Sequence, residues 1–213
     1  MFDPESAALS VAADLLDIGA VTLSPNEPFT WSSGLKSPIY CDNRLTISYP
    51  EVRDRIAGHF AAYIRERCPD AEIVAGIATG GIPHAAWVAQ KLQLPMVYVR
   101  GKAKGHGKGQ RIEGVLRPGQ KTVVIEDLVS TGASSLDAAL ALREAGAEIL
   151  AVLAVFTYEF DEAAQSFREH GIPLDALCNY RTMIPTALAK GLIREEDVQL
   201  LNRWRENRHM YGS

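Results

Sequence analysis

Residues Lys121–Ser135 read KTVVIEDLVSTGASS, and their order decides the fold. Four apolar or β-favouring residues lead into two adjacent acids, Glu126 and Asp127. A Ser/Thr/Gly turn then opens a helical pattern, ASSLDAALALREAG. Strand, turn and helix in this order are the unit of a parallel α/β sheet, with the turn at the carboxyl end of the strand, where such sheets bind ligands. Ser130, Thr131 and Gly132 can offer amides and hydroxyls to a phosphate at the start of the helix, where the dipole also favours an anion. The two carboxylates in front of the turn can hold sugar hydroxyls or water on a magnesium ion. The same residues equally fit a strand ending in a capped helix with two exposed acids.

Outward from this unit the same alternation repeats. On the N-terminal side, EIVAGIA from Glu72 reads as a buried strand, IPHAAWVAQKL as a helix and MVYVR as a strand. On the C-terminal side come EILAVLAVFTY (strand), FDEAAQSFREHG (helix) and DALC (short strand). Apolar strands alternating with amphipathic helices predict an α/β fold, a mostly parallel central sheet covered by helices on both faces. Earlier in the chain, Ala8, Leu9, Ala12, Leu15, Leu16 and Ile18 sit at helical spacing over 6–18, with Gly19 as a stop. Val21 to Arg44 is rich in Ser, Thr, Pro and aromatics, with FTW and PIYCD as strand-like pieces around Ser32-Ser33-Gly34. Ser48 and Glu51 have capping-box spacing and Pro50 suits a first turn, so a helix is expected from there to about Arg67. The expected organisation is one compact domain: residues 1–48 form an N-terminal helix and hood on a core of residues 49–213.

Composition narrows the functional classes. The 213 residues are 47% hydrophobic and 23% charged, with a formal net charge of −4, so general disorder and a broad duplex-binding surface are not expected. Three scattered cysteines, Cys41, Cys68 and Cys178, indicate neither a disulfide framework nor a cysteine zinc site. The first residues carry acids and no Lys or Arg, unlike a signal peptide, and no apolar run reaches membrane-spanning length. A cytoplasmic protein without nucleic-acid or membrane partners is expected. G-x-x-x-x-G-K-[ST] and G-x-S-x-G are both absent, and the glycines of GHGKG do not fit G-x-G-x-x-G.

Two further segments bear charge or glycine in a telling way. RGKAKGHGKGQR, Arg100–Arg111, holds five Lys and Arg, four glycines and no acid. Such a loop suits a cationic lid closing over a charged anion, and alone it fits a solvated loop or a nucleic-acid contact as well. AGIATGGIP, Ala75–Pro83, is a strand ending in a glycine-rich turn whose amides can approach a second phosphate.

Taken together, VVIEDLVSTGAS, the lid and the glycine turn resemble the type I phosphoribosyltransferases. The hood sequence FTWSSGLKSPIYCDNR and the lid RGKAKGHGKG are similar to the branch of that family that acts on orotate. The resemblance implies the type I phosphoribosyltransferase fold with a small N-terminal hood. It also implies transfer of the phosphoribosyl group from phosphoribosyl pyrophosphate to orotate, giving orotidine 5′-phosphate and pyrophosphate in pyrimidine synthesis. By the same resemblance, Glu126 and Asp127 hold the ribose hydroxyls, and Leu128, Val129, Ser130, Thr131, Gly132, Ala133 and Ser134 wrap the 5-phosphate. Ser130 also reaches the orotate, and Thr79 and Gly80 face the pyrophosphate. Arg100, Lys104 and His106 reach the diphosphate from the lid, with Lys104 and Asp127 implied as catalytic. Mg2+ is implied as cofactor, held mainly by the substrate's own oxygens, and a homodimer whose lids serve the neighbouring subunit's site.

This chain departs from one branch of the family at Ser32 and Gly101, where that branch has lysines, and at Tyr158-Glu159, where it uses an arginine. Ser33 and Lys36 are hood candidates for the base. A purine-base phosphoribosyltransferase shares the phosphate signature. A phosphoribosyl pyrophosphate-sensing regulator is the rival of another class, expected to add a nucleic-acid-binding module. The basic LLNRWRENRHMYG near the C-terminus reads as a packed helix with a solvated face.

Overall fold

The computed structural model describes residues 1–31, 33–101 and 111–211. The first helix, α1 (Pro4–Asp17), starts two residues before the apolar repeat does. The Asp3 carboxylate accepts the amides of Glu5 and Ser6, and Pro4 presets the first turn. The hood follows as two short antiparallel pairs. β1 (Val21–Leu23) pairs with β4 (Ile39–Cys41), and β2 (Phe29–Thr30) with β3 (Lys36–Ser37). A 3-10 turn, Asn43–Ser48, leads to α2 (Pro50–Arg67). The expected capping box at Ser48 does not form. Ser48 is drawn into the 3-10 turn, and α2 is capped one residue later at Tyr49 with no side-chain bond.

From there the sequence alternation is realised: β5 (Ile73–Ile77), α3 (Gly81–Leu92), β6 (Met96–Val99), β7 (Ile112–Glu113), β8 (Lys121–Val129), α4 (Ala133–Glu144), β9 (Glu148–Thr157), α5 (Asp161–Glu169) and β10 (Leu174–Asn179). The strands form one sheet in the order β10-β9-β8-β5-β6-β7. All neighbours are parallel except β6 and β7. Ile73, Ala75 and Ile77 face a core shared with Leu136, Ala139 and Leu142 of α4, whereas Val74 faces the core that holds Ala85 and Val88 of α3. Strand alternation thus buries both faces of the sheet, which is why these strands read as unbroken apolar runs.

The chain adds β6 on one side of β5 and later returns to place β8 on the other. The helices that follow β5 and β8 lie on opposite faces of the sheet. Their connections therefore part at the carboxyl ends of β5 and β8 and open a crevice there. Two more helices, α6 (Tyr180–Ala189) and α7 (Glu195–Glu206), close the chain. Leu201 and Trp204 of α7 are fully buried. Trp204 packs against Trp31, Tyr158, Phe160 and Tyr180, and its indole N–H donates to the Lys36 carbonyl at 3.2 Å. The basic C-terminal segment is a packed helix, and it fastens the hood to the core.

Candidate active site

Asp127, half-buried at the end of β8, is where the hood, the glycine turn and the phosphate turn meet. Gly80 lies against its carboxylate so closely that a Cβ on Gly80 would stand 2.2–2.6 Å from the carboxyl atoms. From the hood, the Asn43 amide donates to the Asp127 main-chain carbonyl at 2.5 Å. A side chain at position 80 would therefore displace the Asp127 carboxylate from this place.

Both helices that open on this crevice leave their first amides without a side-chain cap. In α4 the first turn starts at Gly132 in a left-handed conformation, φ +79, and Ala133 and Ser134 are exposed. Free amides at a helix N-terminus suit a phosphate. The turn 130–134 thus leaves the first amides of α4 without a side-chain partner. Thr79 is exposed and Gly80 buried at the second helix start.

Glu126 is placed differently from its neighbour. It is buried, and its two oxygens accept the Ser135 hydroxyl and the Asp127 amide, each at 3.0 Å. Burial pushes its carboxyl well up from the usual range, and the adjacent Asp127 adds to this. In this conformation Glu126 braces the strand end and the first turn of α4, while Asp127 is the acid open to the crevice.

Beside Ser130 lies a cleft of about 430 Å³. The hood contributes Trp31, Ser33, Tyr40 and Cys41 to it, and the core contributes Leu128, Ser130 and Tyr158. Ser130 and Ser33 thus share one cleft, although 97 positions separate them in the chain. Lys36 holds the hood through its main chain, and its residue is exposed. Arg100 is exposed and its guanidinium pairs with Glu113 across β6 and β7. Lys104 and His106 lie outside the described residues, as does Ser32. At the Tyr158-Glu159 departure, Tyr158 is buried among aromatic rings. Glu159 has φ +56 and accepts the Arg181 amide at 3.0 Å, with the Arg181 and Arg205 guanidiniums close by. Its charge is spent on α6 and α7.

Residue types alone did not single out Asn43, Tyr40 or Cys41. All three lie inside the quoted hood motif, but Tyr40 and Cys41 fell in a strand-like piece and Asn43 just beyond it, with no residue type that marks a contact. Asn43 is in fact 1% exposed.

With this geometry in view, the comparisons place the class. A family model described as a phosphoribosyl transferase domain matches residues 48–170, and the chain belongs to that family. The chain is 58% identical over 203 residues to a protein of Bacillus caldolyticus named orotate phosphoribosyltransferase, covering 95% of this chain and 98% of that one. Among solved structures it is similar to orotate phosphoribosyltransferase from Aeropyrum pernix, with a TM-score of 0.75 and 27% identity over 86% of this chain and 99% of that one. It is also similar to Leishmania donovani UMP synthase, with a TM-score of 0.82 and 25% identity. There it covers 95% of this chain and spans 43% of the longer one.

Proposed function

We propose that this chain transfers the 5-phosphoribosyl group of phosphoribosyl pyrophosphate to orotate, releasing pyrophosphate and forming orotidine 5′-phosphate in pyrimidine synthesis. The observation that carries this reading is the meeting at Asp127 of three segments, with a phosphate turn on one side and a hood-covered cleft on the other. The 5-phosphate sits on the amides of 130–134, the ribose hydroxyls on Asp127 with Glu126 behind it, and the diphosphate on the turn at Thr79 and Gly80. Orotate lies in the cleft beside Ser130.

As orotate N1 attacks the anomeric carbon, positive charge grows on the ribose and negative charge on the diphosphate. The Asp127 carboxylate opposes the first, and Arg100, Lys104 and His106 the second. Arg100 exchanges Glu113 for the diphosphate when it does so. Among the described residues, no group of three or more His, Cys, Asp or Glu converges as a metal cage. A magnesium ion fits here as one carried on substrate oxygens, with the open Asp127 carboxylate able to hold its water, and it would neutralise the diphosphate. We place the protein in the cytoplasm as a homodimer whose lids serve the neighbouring site. No helix among the described residues is long and apolar enough to cross a membrane, and the three free cysteines are all buried.

The test is a spectrophotometric assay of orotate consumption with phosphoribosyl pyrophosphate and magnesium, with adenine and hypoxanthine as competing bases. Orotate is consumed and the purines are not. Asp127→Asn should keep the fold and lower turnover by roughly 10²–10³-fold, the scale for losing one preorganised charge interaction. Normal turnover and affinity for the ribose substrate in that variant would refute the sugar assignment.

A further inference from the structure

We infer that Asn43 is a positioning residue: the hood sets the place of the ribose-binding carboxylate by gripping the Asp127 backbone. This rests on the reading that Asp127 holds the sugar.

The side chain of Asn43 is buried and committed at both ends. Its Nδ2 donates to the Asp127 carbonyl at 2.5 Å, and its Oδ1 accepts the Cys41 thiol at 3.3 Å. Turning the amide over would set oxygen against carbonyl oxygen and nitrogen against a thiol donor, so one orientation is enforced. The main chain is held too. The Thr46 hydroxyl donates to the Asn43 carbonyl at 2.6 Å and accepts in turn from His84 Nε2 at 3.2 Å, anchoring the turn to α3.

On the other partner, β8 pairs with β5 only as far as Ile125. Two residues further on, the Asp127 carbonyl takes its bond from the hood. Gly80 confines the Asp127 side chain while Asn43 confines its backbone. Cys41 also lines the base cleft. One short relay, Cys41 to Asn43 to Asp127, thus joins the base side of the site to the sugar side, its last step spanning 84 residues of sequence.

Kinetics of a double-mutant cycle test this, with thermal unfolding recorded for every variant. Asn43→Ala should lower kcat/KM for phosphoribosyl pyrophosphate by roughly tenfold or more, the scale for a buried hydrogen bond lost. KM for orotate should move less than about twofold, whereas a hood that merely loosened would raise both. In an Asp127→Asn background the Asn43→Ala loss should shrink to less than about twofold, since its effect runs through Asp127. Cys41→Ala should show the same coupling on a smaller scale, and Cys41→Ser should restore activity because its hydroxyl can donate to Asn43. Equal losses with and without Asp127 would overturn the inference. If Asn43→Ala does not fold, the Cys41→Ala cycle decides by the same criterion. If Asp127→Asn itself leaves the sugar kinetics untouched, the ribose reading has failed, which is a separate outcome.

Discussion

Two buried ionisable side chains near the site have opposite fates on acidification. Glu126 is pushed up by burial, so the folded state holds its proton more tightly than the unfolded chain does. Its contribution to stability is complete below the ordinary carboxyl pKa of 4.5 and is lost as pH rises through the raised value. Glu126→Gln should therefore gain on the wild type in urea unfolding as pH increases, because the Ser135 hydroxyl can rotate to accept from the new amide. A stability difference independent of pH would contradict this. His84 behaves in the reverse sense. Burial lowers it from 6.5 to about 4, so on acidification the unfolded chain takes up the proton first. Stability present above pH 6.5 should fall by about 3 kcal/mol on the way down to pH 4. His84→Gln should flatten that part of the profile, and an unchanged slope would show that His84 is not its source.

The elements bring the site together through closeness rather than through charge. The β5–α3 turn and the end of β8 approach until only a glycine fits, and the obstructed atoms belong to the Asp127 carboxyl. That carboxyl is the free end of a side chain and can swing aside, so Gly80→Ala should fold with a modest loss of thermal stability. It should nonetheless lower turnover by roughly 10²-fold, because a misplaced catalytic group is costly even when it is present. Equal losses in stability and turnover would point to simple unfolding. Just beyond the end of β9, beside β8, Glu159 in its left-handed conformation is retained by ion pairs and an amide from α6. The position that one branch of the family gives to an arginine is used here to join α6 and α7 to the strand.

For the whole molecule, the shared site is the consequential proposal. Lys104→Ala and Asp127→Asn chains are each defective in a different half of the site. In a mixed dimer one site would combine the intact Asp127 of one chain with the intact Lys104 of the other. Activity should return on mixing, to about half the wild-type level per mixed dimer. Subunit exchange would be shown independently with tagged chains. Exchange without any return of activity would mean that each lid serves its own chain. The hood's attachment matters at this scale as well. Trp204 and Tyr211, near the C-terminus, donate to the carbonyls of Lys36 and Pro25 in the hood.

Most strands and helices from Glu72 to β10, and the turn after β8, were legible in the sequence because they depend on local periodicity and on the residues a turn requires, whereas the two-residue β7 and helix α6 were not read there. The start of α1 was displaced by a cap and proline outside the repeat, and the Ser48 capping box gave way to a 3-10 turn. Ser130 and Thr79 were proposed as site residues from the family resemblance, on turns at strand ends that local residue types made legible. Asn43 could not be. Its partner is a main-chain carbonyl 84 residues away, and no propensity records that meeting. Glu126 and Asp127 are adjacent and chemically alike, yet one is buried as a brace and the other opens on the crevice. Side-chain chemistry and short-range spacing belong to the chain itself. Which polar group meets which, and which acid is left facing the ligand, depends on how distant segments pack, and only the tertiary structure decides it.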